Sequence, residues 1–293
     1  MLDIALELHN LAPEPQEEWR RMLRFAGWNR DEANAAARSV EVLFRRGTEL
    51  VVATYDYLRQ TPETAAILGW ETGVDEGHLE ERRRFFTVWL ARTLGLDTSD
   101  EFALYLFRAG QYHAGHGPRR IHTPSGYVTA SLGLVQNAFA RYMLEAGLPT
   151  AVAAPALGAW SKYLAVQGHQ MMLGYRSGCA LDSGPMAVPC SVFGRLRPIL
   201  GTSELVVHAA PGDNVGGVLT KLFDYSPQFR AEVLERRWEA DEKNESLWTE
   251  VHPTYVPRSG WRVLHNGRDV RYAGGFGVAI QPGDTLALFP PGR

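Results

Sequence analysis

The spacing of apolar residues changes once along this chain of 293 residues. Residues 1–172 are rich in Ala, Leu, Glu and Arg, and their apolar side chains recur at helical spacing. Residues 173–293 instead alternate β-branched runs with turn-forming residues, which is typical of strands. Residues 176–188, rich in Gly, Ser and Pro, indicate a linker. We therefore expect a helical domain over residues 1–175 and an α+β domain over residues 189–293.

The charge balance and the cysteine content limit the classes of function that are expected for this chain. Lys and Arg number 30 against 33 Asp and Glu, so the net charge is −3 and nucleic-acid binding is not expected. Cys179 and Cys190 are too few for a disulfide framework and fit a reducing compartment. The most apolar run, residues 151–160, contains Pro155 and is about half as long as a membrane span. Because the N-terminus lacks the pattern of a signal peptide, the sequence predicts a cytoplasmic protein without a membrane partner.

Glycine and proline residues divide the helical part into six expected helices. Pro62, Gly95 and the Gly117–Pro118 pair are the expected breakers. Six helices with short connections favour an all-α fold of globin or bundle type. The expected helices cover residues 15–25, 31–60, 76–94, 100–116, 124–146 and 150–173.

The α+β part is expected to lay one helix across a mixed sheet. Asn266-Gly267 lies between two strand-like runs and is a strong hairpin signal, because both residues of a type I′ turn adopt positive φ. A helix is expected to begin near Asn214 and to end near Phe223. Strand-like runs cover residues 191–196, 204–208, 261–265, 268–270, 277–280 and 284–289.

One histidine ends an apolar face of the expected helix 100–116. Phe102, Leu106, Ala109 and His113 are spaced so that they lie on one side of that helix. Two interpretations stay open, because a buried imidazole needs a partner. His113 is either a core residue bonded to a backbone carbonyl, or it ligates haem iron on an apolar wall that excludes water. In the second case we expect Gly110 to let a flat macrocycle approach the helix backbone.

A tyrosine is expected to face the same pocket from the helix 31–60. Tyr55 lies between Val51 and Leu58 at helical spacing. Its hydroxyl can donate a hydrogen bond worth about 1–3 kcal/mol to dioxygen on the iron. The alternative is a core tyrosine whose hydroxyl is satisfied within the protein. Three residues of the next helix supply either the distal wall or ordinary core: Phe86, Trp89 and Leu90.

Zinc is an alternative use of the histidines. His113, His116 and His122 fall within ten residues, and three imidazoles with a water suit zinc. A predicted helix break separates His122 from the other two. A c-type haem is excluded because the chain has no Cys-x-x-Cys-His, while Cys179 and Cys190 leave a redox pair open.

Four short segments carry a family resemblance: residues 49–58, 62–64, 108–113 and 126–128. On their strength, residues 30–175 resemble the globin-sensor, or protoglobin-type, family. The resemblance implies a globin fold, haem b with His113 as proximal iron ligand, and Tyr55 as distal residue. It also implies a diatomic gas ligand such as dioxygen and a homodimer through the globin domain. Thr54 departs from the usual aromatic before the distal tyrosine, and Tyr127 follows Ser-Gly where the family has a tryptophan.

The expected haem contacts combine this resemblance with the helical spacing. Beyond His113 and Tyr55 they are Val51, Leu58, Phe86, Trp89, Leu90, Leu106, Ala109 and Tyr127.

A second resemblance rests on residues 193–197, 212–215, 266–271 and 282–291. Residues 189–293 are similar to the MoaD/ThiS β-grasp proteins, the ubiquitin-like group that includes the small subunit of molybdopterin synthase. The resemblance implies a ubiquitin-like fold and a protein partner of the molybdopterin pathway. Residues 236–256 are expected to be an insertion, whose Trp238, Trp248 and Tyr255 pack over the sheet or form a binding patch.

The chemistry of that family depends on a C-terminal Gly-Gly that is converted to a thiocarboxylate and donates sulfur. This chain has Pro290-Pro291-Gly292-Arg293 instead. We therefore expect a β-grasp domain that binds protein, with sulfur transfer as an alternative.

Three functions are consistent with these features. The first is a haem-based gas or redox sensor with a protein-binding module. The second is a haem enzyme acting on oxygen, peroxide or nitric oxide, and the third is a haem-free scaffold in which His113 is a core residue. Because no general acid–base group beyond Tyr55 is visible, we expect a sensor more than an enzyme.

Overall fold

The computed structural model describes residues 6–242 and 249–291. These residues form two compact units. The first unit is continuous and covers Pro15–Gly178. The second combines residues 6–14 with the described residues from Cys179 onward. The N-terminal segment therefore belongs to the same unit as the C-terminal half, although most of the chain separates them.

The first unit is entirely helical in its described secondary structure. Large aromatic side chains build much of its interior, and several of their polar atoms have hydrogen-bond partners. The indole of Trp160 donates to the Ser39 hydroxyl at 2.9 Å, and the Tyr163 hydroxyl donates to the Asp97 carbonyl at 2.6 Å. The helices are α1 (Pro15–Phe25), α2 (Arg30–Arg45), α3 (Gly47–Gln60), α4 (Pro62–Leu68), α5 (Glu76–Leu94), α6 (Asp100–His113), α7 (Ser125–Glu145) and α8 (Thr150–Leu181).

The eight helices of this unit differ from the six expected ones in several places, and α4 was not expected at all. The expected helix 31–60 is divided into α2 and α3 at Arg46, whose backbone N–H bonds back to Leu43 and closes the first helix. The expected helix ending at residue 173 continues to Leu181, so residues 176–181 of the expected linker are helical. β-Structure begins soon afterwards, at Met186.

Two glycines, Gly110 of α6 and Gly174 of α8, lie where these helices pack against each other. A Cβ on Gly174 would lie 2.7 Å from the carbonyl carbon of Phe107 in α6. A Cβ on Gly110 would lie 2.8 Å from the backbone nitrogen of Tyr175 in α8. Both glycines therefore permit α6 and α8 to pack backbone against backbone, and neither breaks its helix. The expectation that Gly110 makes room for a macrocycle is wrong, because α8 fills that space.

The second unit contains a five-stranded mixed sheet and a separate hairpin. The sheet order is β2-β1-β7-β5-β6, in which β1 and β7 are parallel and the other pairs are antiparallel. This order, with a helix packed on the sheet, is the β-grasp or ubiquitin-like fold. The elements are β1 (Met186–Val192), α9 (Leu196–Leu200), β2 (Glu204–Ala209), α10 (Val215–Tyr225), α11 (Pro227–Val233), β3 (Leu234–Glu242), β4 (Thr249–Pro257), β5 (Arg262–His265), β6 (Arg268–Asp269) and β7 (Leu286–Phe289).

The core of this unit follows from two periodicities. Val188, Cys190 and Val192 alternate along β1 and are fully buried. The apolar side of α10 covers that face, with Val215 and Val218 also fully buried. The alternating apolar residues of β1 and the helically spaced apolar residues of α10 therefore form one apolar layer. The change in apolar spacing along the sequence predicted this combination of strand and helix.

Of two local predictions for this unit, one is confirmed and the other is wrong. Asn266 and Gly267 have φ of 49° and 79°, which confirms the tight turn between β5 and β6. The expected strand at 277–280 is wrong, since Gly275–Gly277 is a 3₁₀ turn and Ala279 makes one isolated bridge to Asn214.

The expected insertion forms the hairpin of β3 and β4, which is separate from the main sheet. Its Tyr255 is buried, whereas Trp238 is 62% exposed. Trp248 lies outside the described residues, as do Gly292 and Arg293.

The N-terminal segment is attached to this unit by backbone and ionic contacts. Leu8 and Tyr255 exchange two backbone hydrogen bonds, at 2.9 and 3.0 Å. Arg230, 1% exposed, donates to the Ala12 carbonyl at 2.7 Å and to the Glu14 carboxylate at 2.9 Å. No helix within the described residues combines the length and apolarity needed to cross a bilayer.

Candidate functional site: a histidine-bearing cavity in the helical unit

A cavity of about 380 Å³ lies inside the helical unit. Its walls come from the helices α3 to α8 and from residues 117–123, which connect α6 to α7. Aromatic and aliphatic side chains supply most of the lining. Its volume falls within the range of small-molecule and cofactor sites.

His113 is the last residue of α6 and lines this cavity. None of the hydrogen bonds among the described residues engages its ring nitrogens, while its backbone carbonyl accepts from Thr123 N at 2.8 Å. Burial and the nearby charge of Arg82 lower the pKa of His113 to about 4. The ring is therefore neutral at pH 7, with a lone pair available to a ligand.

Tyr55 faces the same cavity from α3. Its hydroxyl donates to the backbone carbonyl of Arg82 at 2.9 Å. Burial raises the pKa of Tyr55 to about 12, so the phenol keeps its proton at neutral pH. The hydroxyl of this phenol has one proton, which it shares in a hydrogen bond with the Arg82 carbonyl. Donation to another group therefore requires this hydrogen bond to break.

Two stacked aromatic rings form part of the wall beside Tyr55. Phe86 and Trp89 of α5 stack with centroids 5.2 Å apart, and Phe86 meets Tyr55 edge to face at 6.2 Å. The Trp89 indole donates to the Gln167 side chain of α8 at 2.8 Å. That bond fixes the orientation of the stacked pair.

The ten residues expected at a haem site fall into two groups. Val51, Leu90 and Leu106 are buried in the main apolar core and are not among the residues that line the cavity. The other seven line it together: Tyr55, Leu58, Phe86, Trp89, Ala109, His113 and Tyr127. Helical spacing identified which side of each helix faces the interior. It did not distinguish the residues that line the cavity from core residues one turn away.

The cavity also has a cationic side that the sequence did not reveal. Arg82, Arg108, Arg119 and Arg120 all contribute to its lining. The Arg119 side chain pairs with Glu81 at 2.7 Å. The only sequence signal was a cluster of basic residues in two separate segments, and surface arginines give the same signal.

Arg82 is the arginine set most deeply in this wall. Its Nε donates to His78 Nε2 at 2.9 Å, which fixes the neutral form of that imidazole. Burial, followed by the charge of Arg82, lowers the pKa of His78. Burial likewise lowers the pKa of Arg82. A half-buried cation bonded to a neutral imidazole favours an anionic group nearby.

The zinc alternative drawn from neighbouring histidines does not hold in this structure. The His116 ring contacts the Gly178 carbonyl at 3.2 Å, and the His122 ring bonds to the Tyr175 hydroxyl at 2.9 Å. With His113 they are not among the described groups whose ligand atoms converge. Cys179 and Cys190 are both free.

The donor set of the cavity fits haem. The neutral imidazole of His113, whose ring nitrogens are unbonded among the described residues, matches an iron ligand. The flat aromatic walls match the face of a macrocycle, and the arginines match its peripheral carboxylates. A cavity between packed helices, with His113 on one of them and Tyr55 on another, is the arrangement of a globin-type domain.

Comparison with known proteins identifies the family. A family model described as Protoglobin matches residues 16–177, which is more than half of the chain. The chain therefore belongs to the protoglobin family. The matched range coincides closely with the helical unit that contains the cavity. No curated protein matches the chain.

Solved structures similar to part of this chain include small archaeal modifier proteins. The small archaeal modifier protein 1 of Methanosarcina acetivorans is 23% identical, covering 36% of this chain and 93% of its own, with a TM-score of 0.28. That of Haloferax volcanii is 22% identical, covering 37% and 100%, with a TM-score of 0.27. The β-grasp fold of the second unit is defined by its own strand order.

Proposed function

We propose that this chain binds haem in the cavity of its helical unit, with His113 as the iron ligand, and that the haem binds a diatomic gas. The observation that carries the proposal is the His113 ring, which faces the cavity in its neutral form without a hydrogen bond among the described residues. A core histidine would be expected to bond a backbone carbonyl, as the His116 ring does.

Haem, when bound, would supply an iron atom that can bind dioxygen or another small gas. The protein holds the imidazole on the end of α6 and excludes water with the stacked Phe86 and Trp89. Tyr55 remains protonated and can transfer its hydrogen bond from the Arg82 carbonyl to a polar ligand. The arginines of the cavity provide cations for the two carboxylates of haem.

The β-grasp unit is proposed as the protein-binding module of a gas-responsive protein. Ligand binding in the helical unit would change how this module engages a protein of the molybdopterin pathway, provided that the gas has different affinities for two states of the chain.

Absorption spectra of the purified, haem-reconstituted full chain test the proposal. We expect a Soret band in the ferric and ferrous forms, a shift with carbon monoxide, and one haem per chain. His113→Ala should lose stoichiometric haem and that band. His122→Ala is the matched control, since this exposed histidine bonds to Tyr175 and should leave haem content unchanged. Full haem content in His113→Ala would refute the assignment.

A further inference from the structure

Three side chains that can ligate a metal converge on the β3–β4 hairpin of the second unit. They are His9 from the N-terminal segment, Glu239 from β3 and His252 from β4. One ligand atom from each lies within 4.8 Å of the others. This group is separate from the haem cavity and contributes nothing to the proposed gas-binding function.

The backbone brings the three residues together through two strand pairings. Glu239 and His252 are direct cross-strand partners in the antiparallel register of β3 and β4. His252 Nε2 lies 4.0 Å from a Glu239 carboxylate oxygen. Side chains of directly opposed residues project from the same face of a hairpin, so this pair is fixed by the register.

The third residue is placed by the pairing of Leu8 with Tyr255. Their two backbone hydrogen bonds align the N-terminal segment antiparallel to β4. Because side chains alternate along a strand, His9 projects to the face opposite that of Leu8. That is the His252 face, and the rings of His9 and His252 have centroids 6.4 Å apart.

The chemistry of this group suits zinc. Two imidazoles and one carboxylate are a ligand set that zinc accepts, with a water or another ligand in the fourth position. Bonds of about 2.1 Å in a tetrahedron separate ligand atoms by about 3.4 Å. His9 and Glu239 are exposed and His252 is half-buried, so side-chain rotations can close the remaining distance.

The charge surrounding the group does not oppose a cation. Arg237 shares the face of Glu239 by strand alternation, and its Nε lies 3.4 Å from the Glu235 carboxylate. That carboxylate offsets the charge of Arg237 on the face that carries Glu239. Glu239 then contributes a negative charge toward a divalent ion.

We propose that His9, Glu239 and His252 form a zinc-binding site that joins the N-terminal segment to the β3–β4 hairpin. The bound ion would cross-link residues that are more than 200 positions apart in the sequence. It would therefore stabilise the attachment of residues 6–14 to the second unit.

Titration of zinc chloride into the metal-stripped full chain, followed by calorimetry, tests this site. We expect one zinc per chain at this site, and His9→Ala and His252→Ala should each weaken its affinity at least about tenfold. Glu239→Gln should weaken it in the same direction. Glu204→Gln is the matched control, because this exposed carboxylate on β2 lies in the same unit but outside the group and outside the hairpin.

A second measurement is thermal unfolding with and without zinc. The ion should raise the unfolding temperature of the wild-type and Glu204→Gln chains, and it should not raise that of His9→Ala. Zinc affinity that is equal in wild type and all three ligand variants would overturn the proposal. Absence of zinc binding by the wild-type chain would overturn it as well.

Discussion

His113 and Tyr55 line the same cavity, but their polar atoms are in different states. The His113 ring is neutral and without a hydrogen-bond partner among the described residues, whereas the Tyr55 hydroxyl donates to Arg82. Both residues were found from the sequence through apolar spacing and family resemblance. The carbonyl that accepts the hydrogen bond from Tyr55 belongs to another helix, so no local pattern could have indicated it.

At the residue scale, Tyr55→Phe tests the role of the phenol in the haem-loaded chain. If the hydroxyl donates to the gas ligand, its removal should increase the dissociation rate of dioxygen about tenfold, which corresponds to a hydrogen bond of about 1.4 kcal/mol. Stopped-flow or flash photolysis measures this rate. Tyr105→Phe is the matched control, because that cavity tyrosine donates only at 3.4 Å to the Phe85 carbonyl. Equal rates in both variants would exclude the proposed role.

At the scale of elements, the crossing of α6 and α8 decides where the cavity can lie. Gly110 and Gly174 let the two backbones meet, and that contact fixes the position of His113 at the end of α6. For Gly110 the sequence suggested a different role. The role of each glycine depends on which helix packs against it. The sequence of a single helix contains no information about its packing partner.

Gly110→Ala should destabilise the helical unit by about 3 kcal/mol or more, because the added methyl meets the backbone of Met171 and Tyr175. Denaturant unfolding followed by circular dichroism measures the loss. Gly133→Ala in α7 is the control, since its Cβ would meet nothing within 4 Å. It should be neutral or stabilising by up to about 1 kcal/mol, as for other helix-interior glycines. Comparable losses in both variants would contradict the close-packing explanation.

The hairpin between β5 and β6 depends on a buried carboxylate. Asp284 accepts hydrogen bonds from Asn266 Nδ2 at 2.7 Å and from Gln281 N at 2.8 Å, and its carboxylate lies 2.8 Å from His265 Nε2. Burial acts to raise the pKa of Asp284, but these bonds outweigh it and hold the pKa below its usual value.

Asp284→Asn should therefore destabilise the second unit at pH 7 by about 1–3 kcal/mol. A carboxyl whose pKa is lowered by folding stabilises the chain above its unfolded pKa, and it loses this effect as the pH falls through the folded value. The difference between wild type and variant should accordingly shrink as the pH falls below about 4. Unfolding curves at several pH values measure it, and a difference independent of pH would contradict the explanation.

At the scale of the whole molecule, the two compact units do not follow the order of the chain. Residues 6–14 belong to the second unit, where buried Arg230 holds Glu14 and the Ala12 carbonyl. Arg230 also lies 3.3 Å from Asp224. The sequence indicated two domains with a single boundary and gave no sign that the first residues return to the last domain.

Arg230→Ala should destabilise the second unit by about 3–5 kcal/mol, because it leaves two half-buried carboxylates without their buried cation. The unfolding transition of that unit in the full chain measures the loss. Arg271→Ala removes an exposed arginine paired with Asp269 and should cost about 1 kcal/mol or less. If both variants lose the same stability, Arg230 does not anchor the N-terminal segment.

The sequence by itself determined the local features whose causes are local. Helical and strand periodicities gave the class of each unit, and Asn266-Gly267 gave its turn, because neighbouring residues decide periodicity and backbone φ. The roles of residues whose partners are distant in the sequence depend on tertiary packing. Packing brought Arg82 to the cavity, set Gly110 against α8, and placed His9 beside Glu239 and His252. These contacts join residues far apart in the chain, and their geometry depends on how whole helices and strands pack.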